Sequence, residues 1–140
     1  MIKIKIPDRL VIDKVDRDLY DHDALNSELF QGRTRKEQFL FAMAIGFKNQ
    51  VHRRLDTREG FFLAKDMNTE DETMVDMVAI NHAGSVDVLL NREEVFRIAE
   101  EYAHAGIRLL YDEVTSCQPG SYLKKLELEL NSLFDAQNSD

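Results

Sequence analysis

A chain of 140 residues with an apolar fraction of 44% is long enough for one globular domain with its own core. Its formal net charge of −8 argues against indiscriminate binding to nucleic acid or anionic membranes. The single cysteine, Cys117, excludes a disulfide framework and a thiolate metal cluster. The N-terminus lacks the apolar region of a signal peptide, and no apolar run approaches the ~20 residues that span a bilayer. We therefore expect a cytoplasmic, single-domain protein.

The first residues predict a short β-strand. Isoleucines at positions 2, 4 and 6 alternate with Lys3 and Lys5, a period of two that is typical of a half-buried strand. Pro7 would end this strand, so residues 1–7 are a candidate strand or oligomerisation arm. The segment from 8 to 23 fits two alternatives, a helix or an extended Arg-Leu-Val-Ile run. A short helix is expected from Leu25 to Phe30.

The segment from Thr34 to Phe47 predicts the central helix of the fold. Thr34 is suited to cap it, with Glu37 three residues later as the reciprocal partner. From Phe39 onward the segment is apolar on every side, and such a helix has to be surrounded by other elements. We therefore expect the other elements to pack around this helix, and Gly46 to end or loosen it.

The segment that follows the central helix is irregular and basic. Asn49 to Asn68 shows little periodicity, and Phe61-Phe62-Leu63 within it is either a buried anchor or a short strand. Between Arg33 and Lys65 there are eight basic and three acidic residues, a net charge of +5. The rest of the chain therefore carries −13, an asymmetry that indicates a surface for a polyanion or an acidic partner.

Three further helical patterns complete the chain. Thr69 to Glu72 repeats a capping signature before a helical pattern that ends near Ala83, with a strand over residues 74–80 as the alternative. Residues 86–90 predict a brief extended or turn segment. A second helix is expected to begin at Asn91, with Glu94 as its capping partner, and to continue to about Glu113. We attribute Gly106, inside this helix, to a close crossing by the central helix. A last amphipathic helix is expected after Pro119, with Leu128 off its stripe and a frayed tail over residues 135–140.

The residue types used in catalysis form no recognisable constellation. The four histidines are too scattered for metal-ligand spacing, and we interpret His82 as a helix-end or core histidine. His104 is expected to pair with Glu100 on a helix surface, and adjacent acids such as Glu100-Glu101 are expected to form a solvated face. The glycines form no phosphate-binding loop. We predict no catalytic residue, no metal and no cofactor.

The loop from Lys48 to Leu55 is the candidate binding site. Lysine near a helix C-terminus suits the helix dipole, but the adjacent Arg53 and Arg54 carry more charge than that role needs. Arginine can bind a phosphate or a carboxylate with two parallel hydrogen bonds. We therefore predict Lys48, Arg53, Arg54 and Arg58 as residues that bind a partner or polyanion, with structural ion pairing as the alternative.

Three blocks of sequence resemble one family. These are Lys36 to Lys48 followed by Arg53-Arg54-Leu55, then Val78 to Gly84, and then Glu94 to Gly106. Together they resemble small proteins encoded beside DNA-phosphorothioation (Dnd) modification and restriction genes. The resemblance implies a prokaryotic cytoplasmic accessory protein of an anti-phage defence locus, and it assigns no catalytic residues.

These observations support a mostly α-helical, compact domain around a central buried helix, with a short N-terminal strand and one or two further short strands. The leading functional hypothesis is a non-catalytic adaptor that binds other protein components of a defence or modification system. The alternative is a direct DNA-binding protein, in which Lys3 and Lys5 lie on a strand like that of ribbon-helix-helix dimers. A third hypothesis is a metal-dependent enzyme that uses the aspartates at positions 16, 18, 21 and 23. Self-association is left open, and no membrane partner is expected.

Overall fold

The computed structural model describes residues 6–138 of the chain, with side chains described up to Asp135. The predicted strand residues 2–5, which include Lys3 and Lys5, and the last two residues of the predicted frayed tail lie outside the described residues. The strands and α-helices are β1 (Arg9–Ile12), α1 (Arg17–Tyr20), α2 (Asp23–Leu25), α3 (Arg35–Lys48), β2 (Glu59–Leu63), α4 (Thr69–Ala83), α5 (Arg92–Ser116) and α6 (Tyr122–Asn138). Short turns of 3₁₀-helix cover Lys14–Asp16, Ala64–Asp66 and Val86–Leu90, and a π-helical turn covers Asn26–Phe30.

The two strands form a short antiparallel pair, in which β1 contacts α5 and β2 contacts α3. Leu10 lies opposite Phe62, and a bulge between Leu10 and Val11 then places Val11 opposite Gly60. Leu10, Phe61 and Phe62 are buried, so the Arg-Leu-Val-Ile run is extended and the helical alternative for these residues is wrong. Phe61 and Phe62 lie in a strand and are also buried, so both predicted alternatives for them, a short strand and a buried anchor, are confirmed.

The prediction of a central helix is confirmed. Thr34 and Glu37 form the reciprocal capping box at its start, which satisfies two backbone N–H groups that have no partner within the helix. Phe39 and Met43 are completely buried, whereas Ala44 is exposed. α3 therefore lies inside the domain with one narrow strip open to solvent.

α3 and α5 cross at unusually close range. A Cβ atom added to Gly106 would lie 1.8 Å from the carbonyl oxygen of Ala42, and one added to Gly46 would lie 2.1 Å from the carbonyl oxygen of Tyr102. Each glycine thus allows the backbone of one helix to touch the backbone of the other. This contact confirms the close crossing predicted from the glycine inside α5.

The remaining helices begin and end close to their predicted positions, with one correction to a helix cap. Asn68 rather than Thr69 caps α4, because its side chain accepts the Asp71 N–H at 2.8 Å. Residues 86–90 form a 3₁₀-helix with the Ser85 side chain as its cap, so of the two predicted alternatives the turn is confirmed and the extended segment is wrong. Asn91 caps α5 as expected.

α6 lies at the edge of the domain. Tyr122 in its first turn is buried and Leu126 is half-buried, but Leu128 and Leu130 are exposed. The helix thus packs through its first turns and leaves apolar side chains in solvent. Across residues 6–138, no helix combines the length and the apolar character needed to cross a bilayer.

Candidate functional site

The segment from the last residue of α3 to the residue before β2, residues 48–58, is called the basic loop here, and its backbone is fixed against two helices. Gln50 takes the left-handed conformation with φ of 55°, which turns the chain sharply away from α3. The N–H of Val51 donates to the Gly46 carbonyl at 2.9 Å, and the N–H of Arg53 donates to the Glu101 carbonyl at 3.1 Å. The basic loop therefore has a defined path across the surface of α5.

The four predicted binding residues divide into two pairs. Lys48 donates to Glu129 of α6 at 3.0 Å, and Arg58 donates to Glu100 of α5 at 3.1 Å. Arg53 and Arg54 are exposed, and neither side chain forms an ion pair with any carboxylate in the described part of the chain. Of the four residues, only Arg53 and Arg54 can therefore bind a partner without first losing an internal ion pair.

A cluster of four rings lies beside the basic loop. The ring centroids of His52 and His82 are 4.9 Å apart, those of His52 and Tyr102 are 5.2 Å apart, and those of Phe47 and Tyr102 are 5.7 Å apart. The rings of His52 and His82 meet edge to face, a favourable arrangement for aromatic pairs. These rings belong to three separate segments, which the α3–α5 crossing and the C-terminal end of α4 bring together.

The rings form one wall of a cavity of about 560 Å³, called the ring-lined cavity here. It is completed by Lys48, Gln50 and Asn81. The Nδ1 atom of His82 lies 2.9 Å from the Tyr102 hydroxyl. Burial raises the pKa of Tyr102, so its phenol is neutral near pH 7 and can donate this hydrogen bond.

The sequence did not single out this cavity. The prediction that His82 is a helix-end histidine is confirmed, since it lies in the last turn of α4, but its contact with Tyr102 was missed. His52 lies within the loop from Lys48 to Leu55 that the sequence predicts as a binding site, but nothing in the sequence assigns it a separate role. The one signal available in the sequence was that His52 directly precedes Arg53.

The opposite side of α5 is polar but buried, which corrects the predicted solvated face. Glu100 is only 2% exposed and accepts the Val11 N–H at 2.9 Å. The bulge in β1 interrupts the strand ladder at Val11, so this N–H needs an acceptor from outside the sheet. Burial raises the pKa of Glu100 to about 7, although the bonds from Val11 and Arg58 act in the opposite direction. Glu101 is also buried and pairs with Arg97.

His104 was also placed incorrectly by the sequence. It is buried, and its Nδ1 atom lies 2.5 Å from Oδ2 of the fully buried Asp16 instead of pairing with Glu100 on the surface. Asp21 belongs to a different environment, where it pairs with Arg35 at 2.6 Å. The aspartates at 16 and 21 therefore do not share one site. Among the described residues, no three histidine, cysteine, aspartate or glutamate side chains converge to hold a metal ion.

A model of one protein family, DNA sulphur modification system-associated protein 4, matches residues 17–140. The chain belongs to this family. The predicted resemblance to proteins linked to DNA phosphorothioation is thereby confirmed, and the family description associates the protein with a DNA sulphur modification system. No curated protein and no solved structure shows significant similarity to the chain. The family match includes the basic loop and the ring-lined cavity, whereas β1 lies before it.

Proposed function

We propose that this protein is a non-catalytic adaptor of a prokaryotic DNA sulphur modification system, where it acts by binding another protein component. We place it in the cytoplasm and in an anti-phage defence setting. The observation that carries the proposal is the exposure of Arg53 and Arg54, without an ion-pair partner among the described residues, on a loop whose backbone is held by α3 and α5.

The chemistry of these two side chains favours an acidic surface on the partner. The chain has 26 acidic residues against 18 basic ones, so carboxylates for internal pairing are abundant. Arg53 and Arg54 nevertheless keep their guanidinium groups free of the described carboxylates, and each can bind a carboxylate through two parallel hydrogen bonds. Because the loop backbone is already ordered, little conformational entropy would be lost when a partner binds.

Lys48 and Arg58 have a supporting role in this proposal. The Lys48–Glu129 contact joins the start of the basic loop to α6, and the Arg58–Glu100 contact joins its end to α5. The Arg58 side chain is still 60% exposed, so it can also contact a partner at the rim.

Co-purification tests the proposal. The tagged chain would be co-expressed with the products of its neighbouring genes and recovered at low and at moderate salt after nuclease treatment, which removes nucleic-acid bridges. We expect a partner to be retained by the unmodified chain and lost by Arg53→Glu/Arg54→Glu. The matched control is Lys124→Glu/Lys125→Glu, an equal charge reversal on two exposed residues of α6. Recovery of no partner, or equal loss from both variants, would contradict the proposal.

Direct DNA binding is the second candidate function. The observation that favours it is that the exposed Arg53 and Arg54 directly follow His52, one of the rings that line the cavity. The hypothesis of a dimer like that of ribbon-helix-helix proteins depends on Lys3 and Lys5, which lie outside the described residues. A gel-shift titration at two salt concentrations tests the candidate, because phosphate contacts make DNA affinity fall steeply as salt rises. Absence of binding at low salt would remove it.

A further inference from the structure

We infer that the ring-lined cavity binds a nucleotide whose base is unpaired, with Arg53 and Arg54 holding its phosphates. The inference rests on the proposed role of these two arginines as binding groups, and it assigns a ligand to the cavity lined by His52, the residue directly before them. The ligand is either a free nucleotide or one nucleotide of a single-stranded nucleic acid, since both present the same base and phosphate.

The walls of the cavity have the chemistry that recognises a base. His52 and His82 are exposed at the cavity, and Tyr102 and Phe47 pack behind them. Aromatic and imidazole rings provide stacking surfaces for unstacked bases. The volume of about 560 Å³ falls within the roughly 300–1,000 Å³ of small-molecule sites.

Two amide side chains supply the hydrogen-bonding groups that recognition of a base requires. Gln50 and Asn81 line the cavity, are exposed, and form no side-chain hydrogen bond within the described residues. Each amide offers both donors and an acceptor, which are the groups that pair with the edge of a base. The left-handed conformation of Gln50 places this amide at the turn where the basic loop leaves α3.

The electrostatics of the cavity orient the ligand. α3 ends at Lys48 and α4 ends at Ala83, so the C-terminal ends of two helices meet here with their partial negative charge. That field disfavours a phosphate deep inside and suits the N–H donors of a base. The phosphate therefore belongs at the rim, where Arg53 and Arg54 directly follow His52. Lys48 also lines the cavity, but Glu129 already pairs with its ammonium group.

A base can enter the cavity only when it is free of its own stack. A duplex keeps its bases paired and stacked, and extruding one costs a few kcal/mol. The site is therefore expected to prefer a single strand to a duplex of the same sequence. This preference separates it from a surface that binds nucleic acid by charge alone.

Fluorescence anisotropy tests the inference. The full chain would be titrated against a labelled, mixed-sequence single strand of about 10 nucleotides, within the usual size of single-strand sites. We expect His52→Ala to weaken binding by about 5- to 150-fold, as the loss of one stacked ring does, and His52→Phe to restore most of it. Arg53→Ala/Arg54→Ala should reduce the salt slope by about 1.4, since each phosphate contact contributes about 0.7 on single strands.

Controls make each outcome decisive. Lys124→Ala/Lys125→Ala removes two exposed charges of α6 that do not line the cavity and should leave the affinity unchanged. A free deoxynucleoside monophosphate that competes with the strand identifies a free nucleotide as the ligand source, whereas one that does not compete identifies the strand. Binding of neither the strand nor the free monophosphate at low salt, equal affinity for single strand and duplex, or an unchanged affinity of His52→Ala would overturn the inference. Because co-purification is scored after nuclease treatment, the adaptor proposal can fail or hold independently of this result.

Discussion

Replacing Glu100 with glutamine tests how the buried polar side of α5 affects stability. Glu100 is 2% exposed, and burial raises its pKa from 4.5 to about 7 in the folded protein. A carboxyl group with a raised pKa binds its proton more tightly in the folded state than in the unfolded state. Its contribution to stability is therefore fully present below about pH 4.5 and is lost as the pH rises through about 7.

The magnitude follows from the two pKa values. The rise from 4.5 to about 7, at about 1.4 kcal/mol for each pKa unit, corresponds to about 3 kcal/mol of stability lost by the unmodified chain above neutral pH. Glutamine at position 100 keeps an acceptor for the Val11 N–H and does not ionise. It weakens the bond to Arg58, but that side chain is 60% exposed, so we expect this cost to be below about 1 kcal/mol.

Urea unfolding of both chains at about pH 5 and about pH 8 provides the measurement. Other titrating groups are common to both proteins, so the difference between them isolates position 100. Because a small part of the contribution is already lost at pH 5, we expect the stability of Glu100→Gln relative to the unmodified chain to rise by about 2 to 3 kcal/mol between the two pH values. Glu127→Gln, on the exposed surface of α6, should show no such change. Parallel pH profiles for Glu100→Gln and the unmodified chain would refute the reasoning.

Two further predictions concern the packing of α5. Gly106→Ala forces its new methyl group against the Ala42 carbonyl, so we expect it to lower the free energy of unfolding in urea by about 3 kcal/mol or more. The control Ala44→Gly, on the exposed side of α3, should lower it by only about 1 kcal/mol. Similar losses for the two variants would argue against the close crossing. Asp16→Ala leaves the buried His104 ring without its hydrogen-bond partner and should cost about 1–3 kcal/mol, and the double variant with His104→Ala should lose less than the two single losses added together. Additive losses would show that the two side chains are not coupled.

Much of the helical architecture could be predicted because its signals are local. The capping pair of α3 spans only four residues, and the apolar character of that helix requires burial in any fold. The N-cap of α4 was misplaced by one residue because Asn68 and Thr69 are both good caps, and only the backbone conformation decides between them.

The parts that escaped prediction depend on contacts between distant segments. Glu100 is acidic and lies next to another acid, so the local sequence predicts that its side chain is exposed to solvent. It is buried because Val11, 89 positions away, needs an acceptor and because Arg58 lies across it. The ring-lined cavity likewise requires His52, His82 and Tyr102 to meet, and no local periodicity encodes that meeting. In contrast, the exposure of Arg53 and Arg54 agrees with the charge asymmetry of the sequence.

The backbone contact between α3 and α5 also bears on how the family can diverge. Helices separated by large side chains can drift apart or together as those side chains change in size. Here Gly46 and Gly106 remove that freedom, because main-chain atoms set the spacing directly. Related chains that keep both glycines should therefore preserve the position of Tyr102 relative to the turn at Gln50, even where the rest of their interior has been replaced.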